Sequence, residues 1–287
     1  MRLLEITWTA DPAIFTIFSK EIRWYALAFV IGFAVGYKIV QRMWKNEKLN
    51  PAWLDPLLFY TGFGTAIGAR LGHCLFYDPA YYLSHPVEIL KIWEGGLASH
   101  GGVLGIIVAI YFFSRHVSHR SMLWTFDKLV VPTGLVAALI RLGNLANHEI
   151  YGHPTNLPWG FRFIENLYYW KRGAAPVFSE PSHPTQIYEA LCYLLIFALC
   201  MWLYFKKESW RKEGFIFGVF MICVFTARFF IEFLKKDQEA FEASMALNMG
   251  QCLSIPFILA GVFFVWRAVK KKPVHSSKPS RNEKNRK

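Results

Sequence analysis

The sequence predicts an all-α fold, a polytopic membrane bundle of about seven transmembrane helices, and three observations carry that expectation. Hydrophobic residues make up 54% of the 287-residue chain and charged residues only 18%, a balance that suits a bilayer better than water. Seven apolar runs are long enough to cross a hydrocarbon core roughly 30 Å thick. Aromatic residues, with 11 Trp and 13 Tyr among them, gather at the ends of those runs, where an amphipathic ring rests among lipid headgroups.

In chain order the runs cover residues 24–40, 54–77, 99–113, 127–146, 187–205, 214–234 and 250–266. The first and third are short, so they are expected to extend into their flanks or to be partly re-entrant. Before the first, residues 1–22 show no basic start followed by an apolar run and a small-residue cleavage site, which leaves the first helix to direct insertion. Between the fourth and fifth, residues 147–186 hold Pro154, Pro158, Pro176, Pro181 and Pro184 with several glycines and aromatics, and read as a small extracytoplasmic head. The expected membrane domain is therefore 1–266.

Residues 267–287 carry nine of the 32 Lys and Arg and few apolar side chains, the composition of a disordered cytoplasmic tail beside anionic lipid. The net charge of +12 is then a membrane-surface property, and no nucleic acid partner is expected. Segments on the tail's side of the bilayer hold 3, 2, 4 and 9 Lys or Arg, against 3, 1, 3 and 2 on the other. That bias puts the N-terminus outside and the C-terminus in the cytoplasm, with the tail dominating the difference. Cys74, Cys192, Cys200, Cys223 and Cys252 lie in or beside apolar segments without paired spacing and read as small core residues.

Ionised groups at membrane depth cost about 2.5–3.5 kcal/mol each on insertion scales, so each needs a partner or a purpose. Arg70 and His73 in the second run, Arg141 and Asn144 in the fourth, and Arg228 and Glu232 in the sixth are three or four residues apart, so each pair shares a helix face. Three helices are thus expected to turn polar faces to a common interior. A buried guanidinium there suits a phosphate, to which it gives two parallel hydrogen bonds while staying charged. His100 opens the third run beside Gly101, Gly102 and Gly105, which let a helix or lipid chain approach an imidazole able to take a proton near neutral pH. The chain has no HExxH, no paired Cys or His at helical spacing within the apolar runs, His116 and His119 being read as loop residues, and no GxSxG elbow, so neither a metal nor a cofactor nor a serine nucleophile is expected.

The stretch Arg141-Leu142-Gly143-Asn144-Leu145-Ala146-Asn147-His148-Glu149-Ile150-Tyr151-Gly152 resembles the signature of the prolipoprotein diacylglyceryl transferases, approximately GRxGNFxNxExxG. Further matches stand in family order. They are Arg23-Trp24-Tyr25, Arg70 to His73 with Phe76-Tyr77, Gly95-Gly96 leading to His100-Gly101-Gly102, His183-Pro184-Thr185-Gln186-Ile187-Tyr188-Glu189, Arg228 with Glu232, and Met249-Gly250-Gln251 with Ser254 and Pro256. Ile140, Leu145, His148 and the Ala98-Ser99 pair depart from the usual pattern, and Val224 stands where the family often has a tyrosine, so that position offers no hydroxyl.

The resemblance, which spans about 24–266, implies a seven-helix enzyme of the bacterial inner membrane. Its implied reaction moves the diacylglyceryl group of phosphatidylglycerol to the lipobox cysteine of a prolipoprotein signal peptide and releases glycerol 1-phosphate. On that analogy Arg141 clamps the phosphate, Arg228 is a second cation, Asn144 orients polar oxygens and Glu232 holds Arg228. His100 is the candidate general base, with Arg228 polarising the thiol as the competing arrangement. Tyr25, His73, Glu149, Gly152 and Gln251 line the site or support it. Two other classes share some of these features: a non-catalytic lipid or peptide transporter, and a headgroup phosphotransferase, which commonly needs metal-binding carboxylates.

Overall fold

The computed structural model describes residues 6–18, 20–92, 95–236 and 245–271; the expected tail lies outside the described residues from 272 onward. The chain is a polytopic α-helical membrane protein. Short strands β1 (Ile6–Thr7), β2 (Ala13–Ile17) and β3 (Lys20–Arg23) lead into α1 (Trp24–Glu47). Then come α2 (Leu54–Phe76), the short α3 (Pro79–Ser84) and α4 (Pro86–Ile89), α5 (Ser99–Phe113) and α6 (Met122–Ala146). Strand β4 (Phe161–Arg162) and α7 (Leu167–Trp170) precede α8 (Thr185–Phe205), α9 (Phe215–Glu232) and α10 (Met249–Lys270).

Among the described residues six helices are long and apolar enough to cross a bilayer: α1, α5 with its extension to Ser118, α6, α8, α9 and α10. Large apolar side chains on their surfaces stand open, among them Val30, Phe33, Leu195, Leu259 and Phe263, as lipid contact requires and water would oppose. Helix α2 has the length, 23 residues, but its glycines with Arg70 and His73 dilute its apolar character. The two short runs extend into their flanks: α1 continues to Glu47, and α5 passes into a π-helical turn over Ser114–Ser118. Cys74 and Cys200 are buried and Cys192 and Cys223 half-buried, whereas Cys252 is exposed on α10 and is not the core residue expected of it.

The helices fall into two compact units, Tyr37–Lys128 and a larger one made of residues up to Gly36 and from Leu129 on. In the first, α2 and α5 cross with their backbones in contact along Gly64, Gly68 and Gly72 on one side and Gly101 and Gly105 on the other. A Cβ added to Gly68 would lie 2.7 Å from the Cα of Gly105, and one on Gly72 2.6 Å from the Cα of Gly101. The glycines after His100 therefore admit a helix, α2. Arg70, buried on α2, gives its donors to backbone carbonyls of the segment before α5: Nε to Ile89 at 2.9 Å, Nη1 to Gly95 at 2.7 Å and Gly96 at 3.3 Å, and Nη2 to Glu88. An arginine so committed organises a loop, which differs from the phosphate-facing role its spacing suggested.

In the larger unit, α6 packs on α1, where Gly32 faces Val136, and on α8, where Gly134 faces Phe197. Residues 147–186 wrap a small aromatic core of Phe161 and Phe163, with Tyr151 stacked on Phe163 at 4.6 Å. Burial, with a hydrogen bond from its hydroxyl to Glu165, pushes the Tyr151 phenol up to about 12. The N-terminal segment is tied in by β1 pairing with β4 and by Trp8, whose indole donates to the carbonyl of Leu145 at 3.0 Å. Buried His148 completes the tie: Nε2 donates to the carbonyl of Ala10 at 2.9 Å and Nδ1 accepts from the N–H of Ile164 at 3.1 Å. Only a neutral imidazole can do both, and burial holds its pKa below the usual histidine value.

Candidate active site

The larger unit contains one continuous chain of charged and polar side chains, and it begins at the end of α6. The last turns of α6 carry Arg141 and Asn144 on one face, and beyond them the backbone turns through positive φ at His148 and Ile150. That turn folds Glu149 back, so that its Oε1 accepts from Asn144 Nδ2 at 2.7 Å and from Asn147 Nδ2 at 3.1 Å. Asn144 Oδ1 in turn accepts from Arg141 Nη1 at 3.3 Å. Gly143, between them, leaves room for Tyr25 of α1: a Cβ there would lie 2.8 Å from the Tyr25 ring. Tyr25 accordingly feels the charges of both Glu149 and Arg141.

From Arg141 the chain crosses to α8. Arg141 Nε lies 2.9 Å from Oε2 of Glu189, an ion pair by distance whose N–H is not aligned as a hydrogen bond. Glu189 is fully buried in the first turns of α8, and its Oε1 accepts from Lys235 Nζ at 2.9 Å. Lys235, 4% exposed, also approaches Glu232 Oε2 at 3.5 Å. Arg228 closes the series on α9, 4.0 Å from the same Glu232 oxygen, with 40% of its side chain exposed. Glu232 thus stands closer to Lys235 than to the arginine it was expected to hold. The formal charges cancel: Arg141, Arg228 and Lys235 against Glu149, Glu189 and Glu232.

Two glycines make the close approaches possible. Gly152 lies in an antiparallel bridge with Lys235, and any Cβ there would run into the carbonyl of Leu234 and, at 2.9 Å, the side chains of His183 and Thr185. Gly250, in the first turn of α10, lies directly over Glu232, whose carboxyl carbon would sit 2.6 Å from an added Cβ. Gln251 beside it is a fastener: its Oε1 accepts from the N–H of Asn248 in a capping box, and its Nε2 donates to the carbonyl of Phe229 at 3.3 Å.

Of the residues singled out from sequence, Tyr25, Arg141, Asn144, Glu149, Gly152, Arg228, Glu232 and Gln251 all belong to this unit. His73 and His100 belong to the other. His73 stacks on Tyr77 at 5.3 Å, and His100 is exposed on the first turn of α5. Glu189, Lys235 and Tyr193 were missed. In sequence Glu189 stands only as the end of the His183–Glu189 match, without a role. Lys235 carries no role in the sequence reading, although it follows Glu232 by three residues and so shares its side of the chain. Tyr193, buried, follows Glu189 by one turn of α8 and shares its helix face, so a phenol lies beside these charges although Val224 brings none.

The arrangement offers two guanidinium groups beside buried carboxylates, a setting in which an anionic headgroup can be oriented by donors fixed in advance. By contrast, the groove of about 630 Å³ along α2 and α5 is lined by residues such as Phe59, Phe63, Ile67, Leu104 and Phe112, without a charged side chain. Among the described residues no cluster of His, Cys, Asp and Glu is arranged to hold a metal ion.

A family model described as prolipoprotein diacylglyceryl transferase matches residues 12–267. A phosphatidylglycerol–prolipoprotein diacylglyceryl transferase of Porphyromonas gingivalis is 55% identical over 271 residues, covering 92% of this chain and 95% of its own. Proteins of the same name from Tolumonas auensis and Bacteroides fragilis are 43% and 42% identical, over 92% and 95% of this chain and 98% of theirs.

Proposed function

This chain belongs to the prolipoprotein diacylglyceryl transferase family, and from that premise we propose that it transfers the diacylglyceryl group of phosphatidylglycerol to the lipobox cysteine of prolipoprotein signal peptides. The observation that carries this reading at the level of residues is the alternating chain from Arg228 to Glu149, with Arg228 the least committed of its cations. In the reaction a C–S bond forms at the glyceryl CH2, the C–O bond to phosphate breaks, and glycerol 1-phosphate departs with the bonding pair.

Two barriers follow from the chemistry. A thiol with a pKa near 8.5 costs about 2 kcal/mol to ionise at pH 7. Charge also grows on the departing phosphate where water is scarce, and each fixed donor to such an oxyanion is worth roughly 3–4 kcal/mol. Arg141 and Arg228 supply those donors. Asn144 and Glu189 orient Arg141, Glu149 holds Asn144, and Lys235 with Glu232 sets the field around Arg228. Tyr25 and Gly152 shape the wall, and Gln251 pins α10 to α9. His100, exposed on the first turn of α5, is the residue to which the family resemblance gives the thiol proton. His73 supports the same region of α2.

With α2 as the seventh span, residues 147–186 lie on the outer side as a head, the N-terminus lies outside, and the C-terminus reaches the cytoplasm from the bacterial inner membrane. The partners are phosphatidylglycerol, signal peptides and surrounding membrane lipids. The +12 charge serves anionic lipid, with no nucleic acid involved. The transporter alternative has no observation in its favour. Purified protein incubated with phosphatidylglycerol and a lipobox peptide should yield a diacylglyceryl thioether by mass spectrometry, with activity surviving a chelator. Folded protein that yields no adduct would overturn the reading.

A further inference from the structure

The groove along α2 and α5 has a shape, and an end, that the reaction described above does not use. On α2 every fourth residue from Phe59 to Leu75 is a large, exposed apolar side chain, and together they form one ridge. Leu104, Val108 and Phe112 of α5, also exposed, form the facing ridge. Between the ridges the two helices touch backbone to backbone, so the floor of the 630 Å³ groove is made of glycines. From Phe59 to Leu75 it runs about 24 Å along α2.

Shape and charge narrow what fits. A helix with its side chains is about 10 Å across, wider than the valley between two helices in backbone contact, so it would ride on the ridges and leave the floor empty. A hydrocarbon chain is thin enough to reach the glycines, and one leaflet's half of a core about 30 Å thick is shorter than the groove. The groove also has a charged end. His116 lies ring over ring on Phe112, with centroids 5.9 Å apart and planes at 13°, in the π-helical turn that continues α5. Arg115, next to it, is exposed. On the α2 side Asp55 stands one turn before Phe59, and its carboxylate accepts from the Tyr37 hydroxyl at 2.9 Å. Arg115 is about 22 Å along α5 from His100, so a headgroup held at this end is remote from that imidazole.

We infer that this groove binds one anionic phospholipid that is not consumed, with an acyl chain along the glycine floor between the ridges and its phosphate paired with Arg115 and His116. An arginine gives a phosphate two parallel N–H donors, and the imidazole beside it offers another. The occupant comes from the bilayer because the α5 ridge belongs to a helix long and apolar enough to cross it, which makes the groove continuous with the lipid-facing surface. Cations at the end of an apolar groove then select anionic headgroups over zwitterionic ones. The inference stands apart from the transfer reading, since it needs no reaction.

The test uses full-length protein in lipid nanodiscs and phosphatidylserine carrying a photoreactive diazirine midway along one acyl chain, a lipid that the proposed reaction does not consume. Phosphatidylcholine with the same chain is the comparison, and labelled peptides are mapped by mass spectrometry. Labelling of Phe63, Ile67 and Val108 should be roughly fivefold stronger from the anionic lipid, the order expected of one arginine beside charged headgroups. Leu259 and Phe263, exposed on α10, should take label equally from both. Arg115→Gln combined with His116→Gln, both at exposed positions, should abolish the preference in the groove and leave α10 unchanged. Equal labelling of the groove by the two lipids in wild type overturns the proposal whether or not that variant folds, and so does a preference that survives the double substitution. A groove that takes no label, with Val108→Cys crosslinking into a dimer that wild type does not form, assigns it to a second copy and also overturns the proposal.

Discussion

Replacing Lys235 with methionine removes the one cation shared by two buried carboxylates while keeping much of the side-chain volume. Its Nζ lies 2.9 Å from Glu189 and 3.5 Å from Glu232. At an effective dielectric near 20 these attractions are about 6 and about 5 kcal/mol before desolvation is subtracted. Desolvation cancels much of that, but only while the partners remain; removing one side of a buried pair characteristically costs roughly 3–5 kcal/mol. For a protein of this size that corresponds to an unfolding temperature lower by on the order of 10 °C. Thermal unfolding of detergent-solubilised protein, followed together with thioether formation, reads both consequences. Lys235→Met should melt early and transfer at least tenfold more slowly, since Glu189 then pulls on Arg141 without a counterweight. Lys235→Arg should retain most of both properties. Adding Glu232→Gln to Lys235→Met removes the surplus negative charge and should recover part of the lost stability. If Lys235→Met unfolds and transfers like wild type, the alternating-charge account of the site is wrong.

Arg141→Lys keeps the charge but cannot reach Glu189 and Asn144 together as the guanidinium does at 2.9 and 3.3 Å, so transfer should fall on the order of 100-fold with the protein still in the membrane; full activity would remove the clamp assignment. Gly105→Leu forces a side chain into the backbone of α2 and should destabilise by roughly 1–3 kcal/mol or more in thermal unfolding, whereas Gly62→Leu, with nothing within 4 Å, should be nearly neutral; equal effects would refute the seam. His148 titrates below its ordinary 6.5 in the folded chain, so its neutral form stabilises the attachment of the N-terminal segment fully above about pH 6.5. That contribution is lost as pH falls through the lower folded value. Wild type should therefore lose more stability between pH 7 and pH 5 than His148→Gln, and parallel curves would contradict the assignment.

The helices were legible because a bilayer imposes long apolar runs, and those runs mark the α-helical spans closely at both ends of α5 and at the end of α8. They failed where helix and hydrocarbon part company. α1 continues through Lys38, Arg42 and Lys45 to Glu47, since hydropathy reports depth in the membrane and not the end of hydrogen bonding. Within the site, Arg141, Asn144, Glu149 and Gly152 could be read together because twelve consecutive residues carry them. The Glu189–Lys235 pair could not, because partners 46 residues apart leave no periodic trace. Arg70 shows the converse limit. Its spacing from His73 resembles that of Arg141 from Asn144, yet it binds carbonyls of its own loop, and what a guanidinium faces is decided by the next segment's path.

A cluster whose fixed charges sum to zero cannot capture a headgroup by bulk attraction. It must recognise shape, offering N–H groups where oxygens belong and repulsion elsewhere. Such a site gives inorganic phosphate little reason to linger, and it lets the spent glycerol phosphate leave instead of poisoning the next turnover.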